Sequence, residues 1–459
     1  MNVRPILLDA ARKAAGDYLE NVADRRVGAS ADGDTLRDQL RVPLSDGGEP
    51  AGEVLAALVR AGEIGTIATQ GPRYFGFVTG GSLLVATAAD WMVSAWDQNG
   101  ALHVMSPLSA VVEEVVADWV RMLLVGGGDW SVGFVTGGHM ANFTAMAAAR
   151  RYVLLQRGWD VEKDGLAGAP PVTVLAGEEA HYTIATAVRL LGLGSERIVR
   201  IPADDQGRMD AQALRRRLQT VNGPSIVCAQ AGNVNSGAFD PIEALADICR
   251  EQGAWLHVDG AFGLWAAASP SLKPLVAGIE RADSLATDAH KWLNVPYDCG
   301  LVLCAHAGAH RGAMTVAASY IETTLSERDA RAYVPEESRR ARGIPVYAVL
   351  RTLGTHGLAN MIDTCCRHAR RFAEGLADAG YEILNDVVLN QVLVAFGDDD
   401  TTRRVIRGVQ ADGTCWCGGT QWRGRAAMRI SVASWATTEA DVERCLHAIT
   451  AVARQVRGQ

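Results

Sequence analysis

The stretch "PSIVCAQAGNVNSGAFDPIEALADICREQGAWLHVDGAFG", Pro224 to Gly263, passes from an apolar run through a Gly- and Asn-containing loop into a helical stretch, then into a second apolar run. Short apolar runs without polar alternation read as strands buried on both faces, and the intervening helix is long enough to return the chain for a parallel neighbour. The same rhythm extends outward in both directions. Upstream lie "WSVGFVTGG", "PPVTVLAGEEAH" and "RIVRIPAD", and downstream "ADSLATDAHK" and "GLVLCAHAG", with helical stretches such as "ANFTAMAAARRYVLLQ", "HYTIATAVRLLGLG" and "DAQALRRRLQT" between them. An α/β domain with a mainly parallel, seven-stranded sheet is expected, with its ligand at the carboxyl ends of the strands.

The chain of 459 residues divides into an N-terminal helical segment (1–70), this large domain (71–354) and a smaller α+β C-terminal domain (355–459). Thr437, Thr438 and Glu439 look like the start of the last helix. With 44 basic against 52 acidic residues and a formal net charge of −8, there is no basic footprint for nucleic acid and no polybasic membrane patch, which directs attention to a small-molecule ligand. The N-terminus carries dispersed charges and no continuous apolar core of a secretory signal, and no long uncharged apolar run reads as a membrane span, so a cytoplasmic protein is expected. Nine cysteines, including Cys365–Cys366 and the pair Cys415 and Cys417, lack C-x-x-C spacing and read as buried free thiols; no metal site is expected.

Chemistry-bearing residues gather at the strand ends. In "TDAHKWLNVPYDCG", Thr287 to Gly300, Lys291 is either a snorkelling surface cation or a covalent anchor, since a partly desolvated lysine loses its proton more readily and a neutral amine condenses with an aldehyde. Asp259 ends "AWLHVD" as either a turn-former before Gly260 or a carboxylate that pairs with a protonated heterocycle. His181 follows the strand ending near Glu178 and is either a surface residue at a helix start or part of the same site. The Gly137–Gly138 turn before a helix is either only a turn or an anion cradle. Taken together, a lysine, a carboxylate and an anion cradle at strand ends describe a phosphate-bearing aldehyde cofactor, pyridoxal 5'-phosphate.

The ordered motifs "TGGHMAN", "EEAHYT", "HVDGAFG", "DAHKWLNVPYDCG" and "SYIETT", with "RYFGFVTGG" before them and "MRISVASWATTEADVE" near the end, resemble the group II pyridoxal-phosphate-dependent amino acid decarboxylases. That family includes the aromatic-L-amino-acid, glutamate and tyrosine decarboxylases and has fold type I, the aspartate-aminotransferase-like architecture. The resemblance implies that Lys291 anchors the cofactor, Asp259 pairs with its ring nitrogen, Ala261 lies beneath the ring and His181 stacks above it. Thr136, Gly137, Gly138 and His139 would meet the phosphate, with Asp288 and His290 close by and Asn233 and Ser338 as further cofactor contacts. His139 stands where the family commonly has Ser or Thr. Asp288, an unusual neighbour for a dianion, is expected to bind backbone or face away.

Tyr320 matches the family's catalytic-loop tyrosine, which reaches the partner subunit's site and protonates the substrate carbon after carbon dioxide leaves. Related aldehyde-forming enzymes carry Phe there or Asn in place of the stacking histidine. Because both Tyr320 and His181 are kept, the product should be the amine. The segment "ETTLSERDARAYVPEES" reads as a mobile lid, and a homodimer with shared active sites is implied. Asn99, Ala101 and His103 fall in the segment that lines the partner's substrate pocket, and Arg429 matches an arginine that holds a substrate carboxylate, its alternative being a structural ion pair. An aromatic or phenolic L-amino acid is favoured as substrate. The alternatives are an acidic amino acid, an aldehyde synthase or other carbon–carbon lyase of the same fold, and a non-catalytic cofactor-binding protein.

Overall fold

The apolar runs do become strands, and all seven enter one sheet. In the computed structural model, which describes residues 3–315 and 327–458, the strands are β1 (Ser131–Val135), β2 (Thr173–Gly177), β3 (Val199–Ile201), β4 (Ser225–Gln230), β5 (Trp255–Asp259), β6 (Ser284–Asp288) and β7 (Gly300–Cys304). Their spatial order is β1-β7-β6-β5-β4-β2-β3. The pairs from β3 through β6 are parallel, while β7 runs antiparallel to both β6 and β1. The reason lies in the connections. Helices cross between the parallel neighbours, whereas residues 289–299 between β6 and β7 form only a turn, which permits an antiparallel return and nothing longer.

This topology collects the carboxyl ends of β1, β2, β4, β5 and β6 and the start of β7 along one edge. β5 ends there at Asp259, in register with Gln230 of β4 and Ala286 of β6. β6 ends at Asp288, opposite Gly300. The helix Gly138–Leu155 packs against the sheet with a run of small residues, Ala141, Ala145, Ala147, Ala148 and Ala149, all buried. Small side chains let its first turn come close to the ends of β5 and β6, where larger ones would hold it off.

A second, antiparallel sheet has the order β10-β11-β9-β8, from β8 (Glu382–Ile383), β9 (Gln391–Ala395), β10 (Gly418–Trp422) and β11 (Arg425–Ser431). The helices Asp399–Asp412 and Glu439–Arg457 cover it; the latter opens with a capping box between Thr438 and Asp441, beside the residues that marked its start in the sequence. A long helical run, Gly343–Asp378, links the two sheets and breaks at Gly354. There φ is 59° and ψ −172°, backbone that glycine adopts without the clash a Cβ would bring. One apolar core runs through both sheets, and a smaller one lies on the other face of the large sheet, around Met146, Val174, Ile226 and Trp255. All nine cysteines are buried and unpaired. Among the described residues no helix is long and apolar enough to cross a membrane.

Candidate active site

At the common strand edge, His181, Gln230, Gly232, Val234, Asp259, Ala261, Phe262 and Lys291 surround a pocket. Each is delivered by local structure. His181 is the N-cap of the helix Tyr182–Leu190, so its ring stands just past the end of β2. Lys291 lies in the tight turn after β6. That turn is held by Asn294, whose Nδ2 donates to the carbonyls of Trp292 and Ala433 and whose Oδ1 accepts the Trp435 N–H. The "RYFGFVTGG" segment closes on it so tightly that a Cβ on Gly80 would sit 1.9 Å from the Lys291 carbonyl oxygen.

Asp259 is 4% exposed. Its Oδ1 accepts the Ala261 N–H at 3.1 Å, and its Oδ2 accepts Asn142 Nδ2 at 2.9 Å. The Lys291 ammonium lies 3.0 Å from Asp288 Oδ2. Burial by itself lowers the Lys291 pKa, but the neighbouring carboxylates, Asp288 foremost, outweigh it and the net direction is upward. This corrects the expectation of a lysine that loses its proton readily through desolvation. In this arrangement Asp288 keeps the amine charged, and the amine becomes nucleophilic only when that pairing is given up. His181 moves the other way: burial, opposed by Asp259, lowers its pKa and favours the neutral ring.

Asp288 does bind backbone, as its oddity beside an anion suggested. Its Oδ1 accepts the N–H of Gly138 at the first turn of the helix, while His290 Nε2 lies 3.4 Å from the same oxygen. A Cβ on Gly138 would come within 2.8 Å of Asp288, and one on Gly300 within 2.6 Å of Gly137, so three backbones and a carboxylate meet where only glycine fits. His290 Nδ1 accepts the Cys299 N–H at 3.1 Å, which places the proton of the neutral ring on Nε2. His139 is exposed at the second residue of the helix, next to this cradle.

Other expected site residues are placed differently. Asn233 does not line the pocket: its Oδ1 accepts the N–H groups of Asn235 and Ser236, and its Nδ2 donates to the Glu179 carbonyl. It shapes the turn, and its neighbours Gly232 and Val234 face the cavity instead. Asn99 and Ser338 meet each other at 3.4 Å, and the Asn99 Oδ1 is taken by the N–H groups of Ala101 and Arg339. His103 pairs with Glu327 at 3.7 Å. These three form a group apart from the pocket lining of their own chain.

Tyr320 lies outside the described residues. From Glu327 onward the segment read as a lid is tied down: Arg331 N–H donates to the Ala101 carbonyl at 3.1 Å, Arg328 stacks over Tyr333 at 4.3 Å, and just past the segment's end the buried Arg339 pairs with buried Glu113 at 2.5 Å. Charges this buried stay put because leaving one unpaired is costly. That part of the segment is therefore an anchor.

Arg429, on β11, donates to the Val234 carbonyl at 3.2 Å and approaches Asn235 Oδ1 at 3.4 Å, which puts it at the turn that lines the pocket. Among the described residues no carboxylate pairs with it, so the ion-pair alternative finds no partner. Beside it stands Tyr74, whose hydroxyl is pushed up to about 12 by burial. Tyr297 packs at a tilt of 33° against His290 with ring centroids 4.4 Å apart. The sequence reading did not single out Tyr297, Asn142, Asn294 or Val234; their positions emerge only from how the turns fold back.

The donor set suits pyridoxal phosphate. A buried carboxylate, a neutral imidazole, a small alanine and an amine converge on one cavity, with a glycine-built helix start beside it. The model of the "Pyridoxal-dependent decarboxylase conserved domain" family matches residues 38–397. An aromatic-L-amino-acid decarboxylase of Bacillus atrophaeus is 26% identical, covering 96% of this chain and 93% of that relative. A human cysteine sulfinic acid decarboxylase is 28% identical over 76% of this chain and 72% of its own length. The crystal structure of Oryza sativa TDC with PLP and tryptamine shares the fold, with a TM-score of 0.92 at 23% identity over 99% of this chain and 98% of that one. The chain accordingly belongs to the pyridoxal-dependent decarboxylase family: it is a fold type I enzyme that uses pyridoxal phosphate to convert an amino acid to an amine and carbon dioxide.

Proposed function

We propose that the substrate is an aromatic or phenolic L-amino acid and that the product is the amine. The observation that carries this reading is an aromatic wall beside Arg429: Tyr74 and Trp416 stack at 5.2 Å, and the exposed ring of Phe77 lies 5.5 Å from Trp416. The full-length likeness to the Bacillus aromatic decarboxylase supports it. An acidic amino acid is the second reading, favoured by the absence of a carboxylate partner for Arg429 among the described residues and by the human relative.

The bound cofactor supplies an electron-accepting conjugated ring that takes up the electron pair left when carbon dioxide departs. The chain's own residues do the rest. Lys291 provides the amine that holds the cofactor covalently, and Asp259 keeps the ring nitrogen protonated. His181 and Ala261, which line the pocket, would hold the ring and orient the substrate bound to it. Gly137, Gly138, His139 and His290 would hold the phosphate, the Gly138 N–H being taken by Asp288, and Arg429 would hold a substrate carboxylate. Tyr320 delivers the proton to the substrate's α-carbon.

The test is a panel of the twenty amino acids with amine, carbon dioxide and peroxide all measured. Phenylalanine, tyrosine or tryptophan should exceed glutamate and aspartate in kcat/KM by at least about tenfold, a difference of about 1.4 kcal/mol in transition-state binding. The reverse order would establish the acidic reading. Peroxide in step with carbon dioxide would make the enzyme an aldehyde synthase.

The working unit in this reading is a homodimer with shared sites, in the cytoplasm. Nine buried free thiols support a reducing compartment. The helix Leu84–Trp96 and the segment after it expose Leu84, Trp91, Met92, Trp96, Val104, Met105 and Leu108, an apolar surface that a second copy would cover. Asn99 and His103 lie along this stretch and Ser338 meets Asn99; in this reading they contribute to a neighbour's site. Mixed Lys291→Ala and Tyr320→Phe subunits should regain amine formation, about one competent site per heterodimer, after verified exchange. No recovery would mean that each chain completes its own site.

A further inference from the structure

Behind Asp259, on the side away from the pocket, lies a continuous chain of buried polar groups. Trp255, His257 and Asp259 alternate along β5 and so share one face, turned toward the helix Gly138–Leu155, with Asp259 and His257 meeting Asn142 near its start and Trp255 meeting Tyr152 near its end. Ser284 of β6 is the register partner of His257. The Trp255 Nε1–H lies 2.9 Å from Ser284 Oγ, His257 Nδ1 is 3.0 Å from the same oxygen, and His257 Nε2 is 2.9 Å from Asn142 Oδ1. Asn142 Nδ2 then reaches Asp259 Oδ2 at 2.9 Å and Thr183 Oγ1 at 3.2 Å, and Thr183 Oγ1 is 2.8 Å from His181 Nδ1. Asn142 and His257 are at most 1% exposed.

The donors in this chain can be ordered from chemistry alone. The indole N–H only donates, so Ser284 accepts from it and its hydroxyl is free to donate to His257 Nδ1. The neutral ring of His257 then carries its proton on Nε2 and donates to Asn142 Oδ1. Burial, the chief cause, lowers the His257 pKa to about 4, which keeps that ring neutral at ordinary pH. An ionised carboxylate only accepts, so the Asn142 amide nitrogen faces Asp259. Its second N–H goes to the Thr183 oxygen, whose hydroxyl proton points to His181 Nδ1. The Thr183 backbone N–H approaches the same nitrogen at 3.5 Å. His181 Nδ1 is therefore an acceptor, and the ring's proton sits on Nε2.

We infer that Asn142 is a positioning residue that holds two walls of the pocket at once, the Asp259 carboxylate through a direct hydrogen bond and the His181 tautomer through Thr183. The inference rests on the reading of Asp259 as the ring-nitrogen partner. It adds that the carboxylate and the histidine are set by one buried amide, which His257, Ser284 and Trp255 orient from behind.

The test uses full-length protein reconstituted with pyridoxal phosphate labelled with 15N at the ring nitrogen. Its chemical shift reports ring protonation, and cofactor fluorescence reports the dissociation constant. Asn142→Ala should weaken cofactor binding on the order of tenfold, the loss expected for a buried hydrogen bond to a charged acceptor, and move the 15N shift toward the unprotonated value. Asn142→Asp keeps the shape and the acceptor for His257 but sets a second carboxylate against Asp259. The two must share a proton, so in this variant alone cofactor affinity should fall as pH rises through neutrality. A merely space-filling asparagine would show no such pH profile. Asp259→Ala is the reference. If it leaves the 15N shift at the wild-type value, the reading of Asp259 fails. If it moves the shift while both Asn142 variants keep wild-type shift, affinity and pH profile, the inference about Asn142 is wrong and that reading stands.

Discussion

Lys291→Ala protein is expected to lose pyridoxal phosphate on dialysis, to give no borohydride-reducible adduct, and to turn over amino acids slower by a factor on the order of 10³ or more. The amine is the group in the pocket able to bond covalently to an aldehyde, and among the described residues no other lysine lines the cavity. The substitution also removes the ammonium 3.0 Å from Asp288, a carboxylate that is 1% exposed, so part of any loss is structural. The double variant Lys291→Ala/Asp288→Asn separates the two contributions. It should recover most of the lost unfolding midpoint, because the stranded charge is gone, while the adduct and activity stay absent. An adduct persisting in the single variant after dialysis would rule Lys291 out as the anchor.

Asp259→Asn is expected to fold, although its amide nitrogen faces one of the two N–H donors that the carboxylate accepts, and to lose on the order of 10² in kcat, about 3 kcal/mol in barrier, because an amide cannot hold a proton on the ring nitrogen and an unprotonated pyridine is a weak electron sink. Asp259→Ala should show the same catalytic loss and unfold more easily. It strands the Asn142 amide and the Ala261 N–H, each costing about 1–3 kcal/mol when buried without an acceptor. Equal kcat in Asp259→Asn and wild type, measured with saturating cofactor and substrate, would show that the ring needs no carboxylate.

The strands were legible because burial on both faces leaves an unbroken apolar signature, and the helices between them because the period of their apolar residues changes. β10, in "GGTQW", carried no such mark. It is an outer strand with two exposed positions, so its pairing to β11 comes from the hairpin at Arg423–Gly424 rather than from its own composition. Asn233 shows the same limit at the site. The family resemblance implied a cofactor contact for it, but an Asx-type turn took its side chain, and the neighbouring Val234 faces the cavity.

By itself, the sequence determined which residue types stand at the strand ends. Lys291, Asp259, His181 and the Gly137–Gly138 pair follow directly from where the apolar runs stop, since a residue's place along a strand is a local property. It also determined the family, through motifs long enough to be specific. Only the tertiary structure decided what those groups do to one another. That Asp288 reaches the Gly138 N–H as well as its near neighbour Lys291, that Asn142 reaches Asp259 and Thr183 together, and that Asn99 meets Ser338 apart from their own chain's pocket all depend on distances between segments far separated in the chain. Electrostatic and hydrogen-bond energies change steeply over an ångström or two, so spacing along the chain does not determine them.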